Sequence, residues 1–199
     1  QPWGVFVTTP VVEARSSAAS TSVVQVTTEL AGVSSLSGAF LRSTVQDATG
    51  HTVGQVETPA KTPVLQQTLL LRDAQLWSLD APYLYTLRSE VLVDGAVVDT
   101  EQTPFGIRSI AVDAEQGFRL NGEPVKLKGG CIHHDHGPLG AASYDRAEER
   151  KVELLKSAGY NAIRTAHNPP APALLDACDR LGMLVIDESF DAWTSGKVT

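Results

Sequence analysis

Only two cysteines, Cys131 and Cys178, occur in the chain, and none lies among residues 1–108. No disulfide can therefore staple the first half of the molecule. Both fall on expected buried faces, one on a strand and one on a helix, where a free cysteine behaves as a small hydrophobe. Basic charge is also scarce, with 16 Lys and Arg against 23 Asp and Glu, a net charge of −7 and no basic cluster. A nucleic-acid or anionic-membrane partner thus has no electrostatic support. No apolar run approaches the roughly 18 residues of a membrane span. The start Gln1-Pro2-Trp3-Gly4 has neither the basic residues of a secretory leader nor a methionine, so an excised piece of a longer, cytoplasmic protein is expected. What remains, 42% hydrophobic and 20% charged over 199 residues, is ordinary for one large or two small globular domains.

From Val5 to Phe105 the pattern is short alternating segments broken by Gly, Pro, Asp and Ser, the pattern of an antiparallel sandwich. Seven strands are expected: Val5–Thr9, Val23–Leu30, Ala39–Val45, Val53–Thr58, Val64–Leu71, Tyr83–Val93 and Ala96–Thr103. Asp94-Gly95 between two alternating runs signals a two-residue hairpin, and Asn121-Gly122 a second one joining Phe118–Leu120 to Val125–Leu127. Trp77 is expected to be core rather than a sugar-stacking platform.

Beyond Phe105-Gly106-Ile107-Arg108 the pattern changes. Three apolar runs, Val125–Ile132, Tyr160–Thr165 and Met183–Ile186, each end in polar residues: His133-His134-Asp135-His136, Ala166-His167-Asn168-Pro169 and Asp187-Glu188-Ser189. Between them lie two helical patterns. The first has Asp145 as N-cap with Glu148 three residues on, then Leu154, Leu155 and Ala158 on one face and Gly159 as a stop. The second runs from Pro172 through Leu174, Leu175, Cys178 and Leu181 to Gly182. Strand, helix, strand, helix, strand demands a parallel sheet with all three polar ends on one edge, where α/β active sites form. Lys128-Gly129-Gly130-Cys131 lacks the spacing of a phosphate-cradling glycine motif.

Asn161-Ala-Ile-Arg-Thr-Ala-His-Asn-Pro-Pro170, Leu181-Gly-Met-Leu-Val-Ile-Asp-Glu-Ser-Phe-Asp-Ala-Trp193 and the His-His-Asp-His knot resemble family 2 glycoside hydrolases, the β-galactosidases, β-glucuronidases and β-mannosidases. The resemblance covers nearly the whole chain. It implies two domains, with residues 1–108 an all-β immunoglobulin-like sandwich and residues 109–199 the N-terminal part of a truncated α/β (TIM) barrel of about three βα units. The implied function is that of a fragment of a retaining exo-β-glycosidase, most like β-galactosidase, acting on terminal β-linked sugars. The family's acid/base and nucleophile are glutamates on later strands, so the implied fragment is inactive. A non-catalytic carbohydrate-binding or adhesion module is the alternative, since a sandwich alone has that architecture.

Eight residues are the candidates for substrate binding or transition-state stabilisation: His134, His136, Arg164, His167, Asn168, Asp187, Glu188 and Trp193. Alternation along an extended strand would send His134 and His136 to the same side. A zinc site with His167 is the competing reading of that pair, whereas the resemblance gives His134 and His167 to the sugar. Arg164, inside an apolar strand, needs a carboxylate partner, Asp187 or Glu188, and the resemblance has it orient the nucleophile. Adjacent Asp187 and Glu188 point to opposite faces of a strand and cannot flank one glycosidic bond. Trp193 is a hydrophobic lid or a sugar-stacking face. No cofactor is expected, because the magnesium ligands of some β-galactosidases are unmatched by Asp191-Ala192-Trp193-Thr194. The expected partners are a carbohydrate and further copies of the chain, because three strands of an unclosed barrel leave Ala162, Ile163, Val185 and Ile186 apolar and uncovered.

Overall fold

A computed structural model of the chain describes residues 4–12, 21–32 and 36–190. They form two compact units, one drawn from residues 1–77 and 83–124, the other from residues 78–82 and 125–199. Among the described residues, no helix is long and apolar enough to cross a membrane.

The first unit is the sandwich. Its strands are β1 (Val5–Val12), β2 (Thr21–Glu29), β3 (Ala39–Gln46), β4 (Thr52–Pro59), β5 (Val64–Arg72), β6 (Tyr85–Val93) and β7 (Ala96–Phe105), the seven expected ones with ends shifted by a few residues. They pair antiparallel as a sheet β1-β2-β5 and a sheet β4-β3-β6-β7. β5 shows how the alternation works: Leu65, Gln67, Leu69 and Leu71 are buried, while Val64, Gln66, Thr68 and Leu70 face out. The inward residues of both sheets, among them Val24, Val26, Val45, Leu69, Leu71 and Leu87, make one core, and each fully buried Leu or Val contributes roughly 1.5–3 kcal/mol. Gln67 is polar in this row but satisfied, accepting from Ser43 Oγ at 2.6 Å and donating to Leu41 O at 3.0 Å. Trp77 is 1% exposed and stacks under the Arg108 guanidinium at 4.7 Å, so it is core. The Asp94-Gly95 turn has φ of 50° and 81°, the two positive values a type I′ hairpin needs.

A smaller antiparallel sheet completes this unit: β8 (Ile110–Asp113), β9 (Gly117–Leu120) and β10 (Glu123–Pro124). Asn121-Gly122 forms the expected turn, at φ of 54° and 84°. The returning strand is only Glu123–Pro124 rather than Val125–Leu127, and β8 had no clear alternation to announce it. Asn121 fixes the turn, accepting from Ser109 N at 3.0 Å and donating to Trp77 O at 2.9 Å.

The second unit is β11 (Gly129–Ile132), α1 (Asp145–Ser157), β12 (Ala162–Thr165), α2 (Pro172–Leu181) and β13 (Leu184–Asp187), with the strands parallel in the order β11-β12-β13. It is the start of a TIM-type barrel. Val152 of α1 and Leu174, Ala177 and Cys178 of α2 pack on Ile163 and Met183. Gly129 is required by close approach: a Cβ there would lie 1.8 Å from Ala162 O. Lys156 ties residues 78–82 to this unit by donating to Leu79 O and Gly182 O, each at 2.7 Å.

The structure departs from the sequence pattern at several points. The N-cap of α1 is Tyr144, without a side-chain hydrogen bond, and Asp145 is its first helical residue. Glu148 does not reach back to the cap; its carboxylate is drawn elsewhere, as described below. Val152 is the fully buried apolar residue of α1, whereas Leu154 is 50% exposed. Of the apolar residues expected to be uncovered, Ile163 and Ala162 are buried and Val185 is half-buried, because alternation turns Ile163 and Val185 under the helices. The open face carries Cys131, Arg164 and Ile186, which stand in register across the three strands and are exposed. Cys131 is thus no buried hydrophobe, although Cys178 is.

Candidate active site

The C-terminal ends of β11, β12 and β13 bring three polar segments to one edge, as strand polarity requires. The best-tied group there is Arg164, Glu188 and His167. Arg164 projects from the open face and binds Glu188 Oε1 through its guanidinium, with its Nη1 3.9 Å from Cys131 Sγ. Glu188 Oε2 accepts from the backbone N–H of His167 at 2.5 Å. That N–H and the Arg164 charge hold the Glu188 carboxyl below its ordinary value, and Glu188 in turn raises the value of Arg164. His167 has φ of 77°, a left-handed backbone that costs a non-glycine residue on the order of 1 kcal/mol and collects at functional sites. Arg164 is itself 52% exposed in its side chain, not buried as its apolar strand implied.

Asp187 goes the other way. Its Oδ1 accepts from Thr165 Oγ1 at 2.7 Å, and Thr165 Oγ1 accepts from the backbone N–H of Glu188 at 3.3 Å. Thr165 is opposite Asp187 in the parallel register, so the two adjacent carboxylates do take opposite sides.

His134 and His136 do not form a pair. β11 stops at Ile132, and the N–H of Asp135 turns back to His133 O at 2.8 Å, so alternation ends before it reaches them. His134 Nε2 lies 3.2 Å from Pro169 O, which assigns the proton to that nitrogen. His136 has a side chain only 5% exposed and faces Glu148. The histidine that approaches another is His133, whose ring lies 5.3 Å from that of His167 at an angle of 32°. His134, His136 and His167 therefore do not converge as a zinc triad, and among the described residues no group of three or more His, Cys, Asp or Glu is placed to hold a metal. Asn168 is exposed and lines a small cleft with His133, His134, Lys151, Thr165 and Ala166. Trp193 lies outside the described residues. Ser143, Thr165 and Lys151 carry no pattern that marks them in the sequence, and His133 belongs to the polar knot from which alternation selects His134 and His136 instead.

Such an edge offers hydrogen-bond donors at fixed positions, suited to hydroxyl-rich ligands. Of the described residues, the adjacent carboxylates Asp187 and Glu188 do not face each other across the roughly 5–9.5 Å that glycoside hydrolysis uses, because Glu188 is bound to Arg164 and Asp187, on the other side, to Thr165.

The model of glycosyl hydrolases family 2 matches residues 5–108, and that of the family 2 TIM barrel domain matches residues 110–196. The chain belongs to glycosyl hydrolase family 2. Among its family 2 relatives, β-galactosidase BoGH2A of Bacteroides ovatus is 42% identical over 98% of this chain and 23% of its own length. A putative β-glucuronidase of Formosa agariphila is 35% identical over 97% of this chain and 18% of its own length. Of solved structures, a family 2 member from Bacteroides cellulosilyticus superposes with a TM-score of 0.84 at 46% identity, covering 100% of this chain and 26% of that one. The β-glucuronidase of Bifidobacterium dentium, complexed with coumarin-3-O-glucuronide, gives 0.82 at 29% identity over 93% of this chain and 30% of that one. The chain thus spans less than a third of the length of these relatives.

Proposed function

We propose that the chain is the sugar-facing opening part of a retaining exo-β-glycosidase that hydrolyses terminal β-linked sugars, most like a β-galactosidase. The observation that carries this reading is the bracing of His167 and Arg164 by one carboxylate, Glu188, at the end of the parallel strands. It rigidly presents donors where a sugar ring would lie. His134, His167 and Asn168 contact sugar hydroxyls, and Arg164 acts from the open face toward the nucleophile, while Glu188 holds both in place. The acid/base and nucleophile glutamates come from residues other than these 199, so the chain alone does not turn over substrate. Galactose is favoured over glucuronate by the higher identity to a named β-galactosidase than to a putative β-glucuronidase. Association of copies is the further expectation, now resting on the exposed Ile186 of the open face.

The test is hydrolysis of nitrophenyl β-galactoside and β-glucuronide, first by this chain and then by a family 2 protein carrying it. The account expects no turnover in the first case and galactoside turnover in the second. Turnover by the 199 residues, or no galactoside cleavage by the longer protein, contradicts it.

A further inference from the structure

The carboxylate of Glu148, on α1 at the floor of the cleft that His134 and Asn168 also line, is the centre of a buried polar group. Its side chain is 2% exposed. Oε1 accepts from His136 Nε2 and from Ser143 Oγ, each at 2.9 Å, so that His136 nitrogen carries a proton. Oε2 has no hydrogen-bond donor among the described residues and faces Lys151 Nζ at 3.6 Å. Lys151, one helical turn along, donates to the backbone carbonyl of His133 at 3.3 Å. Burial pushes the Glu148 carboxyl up, yet Ser143, His136 and the Lys151 charge outweigh it and hold the group below its ordinary value.

Both ends of the His133–His136 segment are therefore tied to α1, His136 through its ring and His133 through its carbonyl. Between these anchors His134 reaches Pro169 O, and the His133 ring meets His167. A buried carboxylate is a poor device for stability alone, since apolar residues of similar size pack such positions equally well. What it supplies is a fixed position, because hydrogen bonds to one carboxylate have defined directions.

We propose that Glu148 is a positioning residue: with Lys151 it clamps the histidine segment so that His133 and His134 stand against His167 and Pro169 at the strand edge. That this geometry serves sugar binding rests on the glycosidase reading; the clamp itself does not. Glu148→Gln keeps the volume but weakens the acceptor and turns an N–H2 toward Lys151. Lys151→Met removes the tie to His133 from a side chain that is 17% exposed.

The experiment is histidine-labelled NMR of the 199-residue chain and both variants, with galactose titration as a second readout. The expected result is that the ring resonances of His133 and His167 move in both variants, that His136 moves in Glu148→Gln, and that His51 of the sandwich stays still. Any galactose affinity of the parent chain should fall on the order of tenfold, the scale of one lost hydrogen bond. Shifts confined to His136 overturn the proposal. Loss of the parallel sheet in both variants also overturns it, making Glu148 a determinant of the fold. A parent chain without galactose response counts against the glycosidase reading, and the ring shifts then decide the clamp alone.

Discussion

His167 and Glu188 are 21 residues apart in sequence yet joined by a 2.5 Å hydrogen bond from the backbone N–H of one to the carboxylate of the other. The same carboxylate neutralises Arg164. One side chain therefore sets both the left-handed backbone of His167 and the direction of the guanidinium.

This relationship has a pH signature. The folded Glu188 carboxyl lies below its ordinary value, and an unfolded glutamate titrates at about 4.3. Its contribution to stability is fully present above that pH and is lost as the pH falls through the folded value. Urea midpoints of the wild type and Glu188→Gln should differ most at neutral pH and converge in acid. A difference independent of pH would refute the assignment.

The two faces of α1 predict opposite outcomes for small truncations. Val152 is fully buried and Leu154 is 50% exposed. Val152→Ala should destabilise the second unit by about 2 kcal/mol, whereas Leu154→Ala should change stability by less than about 0.5 kcal/mol. Denaturant titration of both variants distinguishes this face from the Leu154-centred one that the sequence implied.

Gly129→Ala should be among the most damaging changes to the parallel sheet. The added Cβ would meet the Ala162 carbonyl at 1.8 Å, and backbone on both sides cannot yield without separating β11 from β12. The expected loss is about 3 kcal/mol, read as lost protection of the Ile163 and Arg164 amides in hydrogen exchange. A variant with wild-type protection contradicts the close approach.

The two thiols should separate by reactivity. Burial pushes the Cys178 thiol up to about 12, with Asp179 adding to the shift, and Cys131 is exposed beside the Arg164 guanidinium. A disulfide reagent near pH 8 should label Cys131 alone, and Cys178 only after denaturation. Equal labelling of both in the folded chain would show this burial to be wrong.

The sandwich was readable because half-buried antiparallel strands write their period into the sequence: the alternation of β5 gives its register and its core face directly. The parallel sheet was readable as a sequence of elements but not in its ends. Val125–Ile132 looks like one strand, yet only Gly129–Ile132 pairs, and the histidine pattern was extrapolated past the point where the chain turns. Glu148 carried a capping spacing whose partners, Ser143 and His136, are set by tertiary contacts that no local pattern contains. The sequence leaves Asp187 and Glu188 both open as partners of Arg164; the register decides between them, because Thr165 stands opposite Asp187 and alternation returns Glu188 to the Arg164 face.

If the strand edge bearing His134, Arg164 and His167 receives a sugar, galactose titrated into the histidine-labelled chain should give saturable shifts of the His134 and His167 resonances with His51 unmoved. Shifts confined to the sandwich, or none at the strand edge, would contradict it.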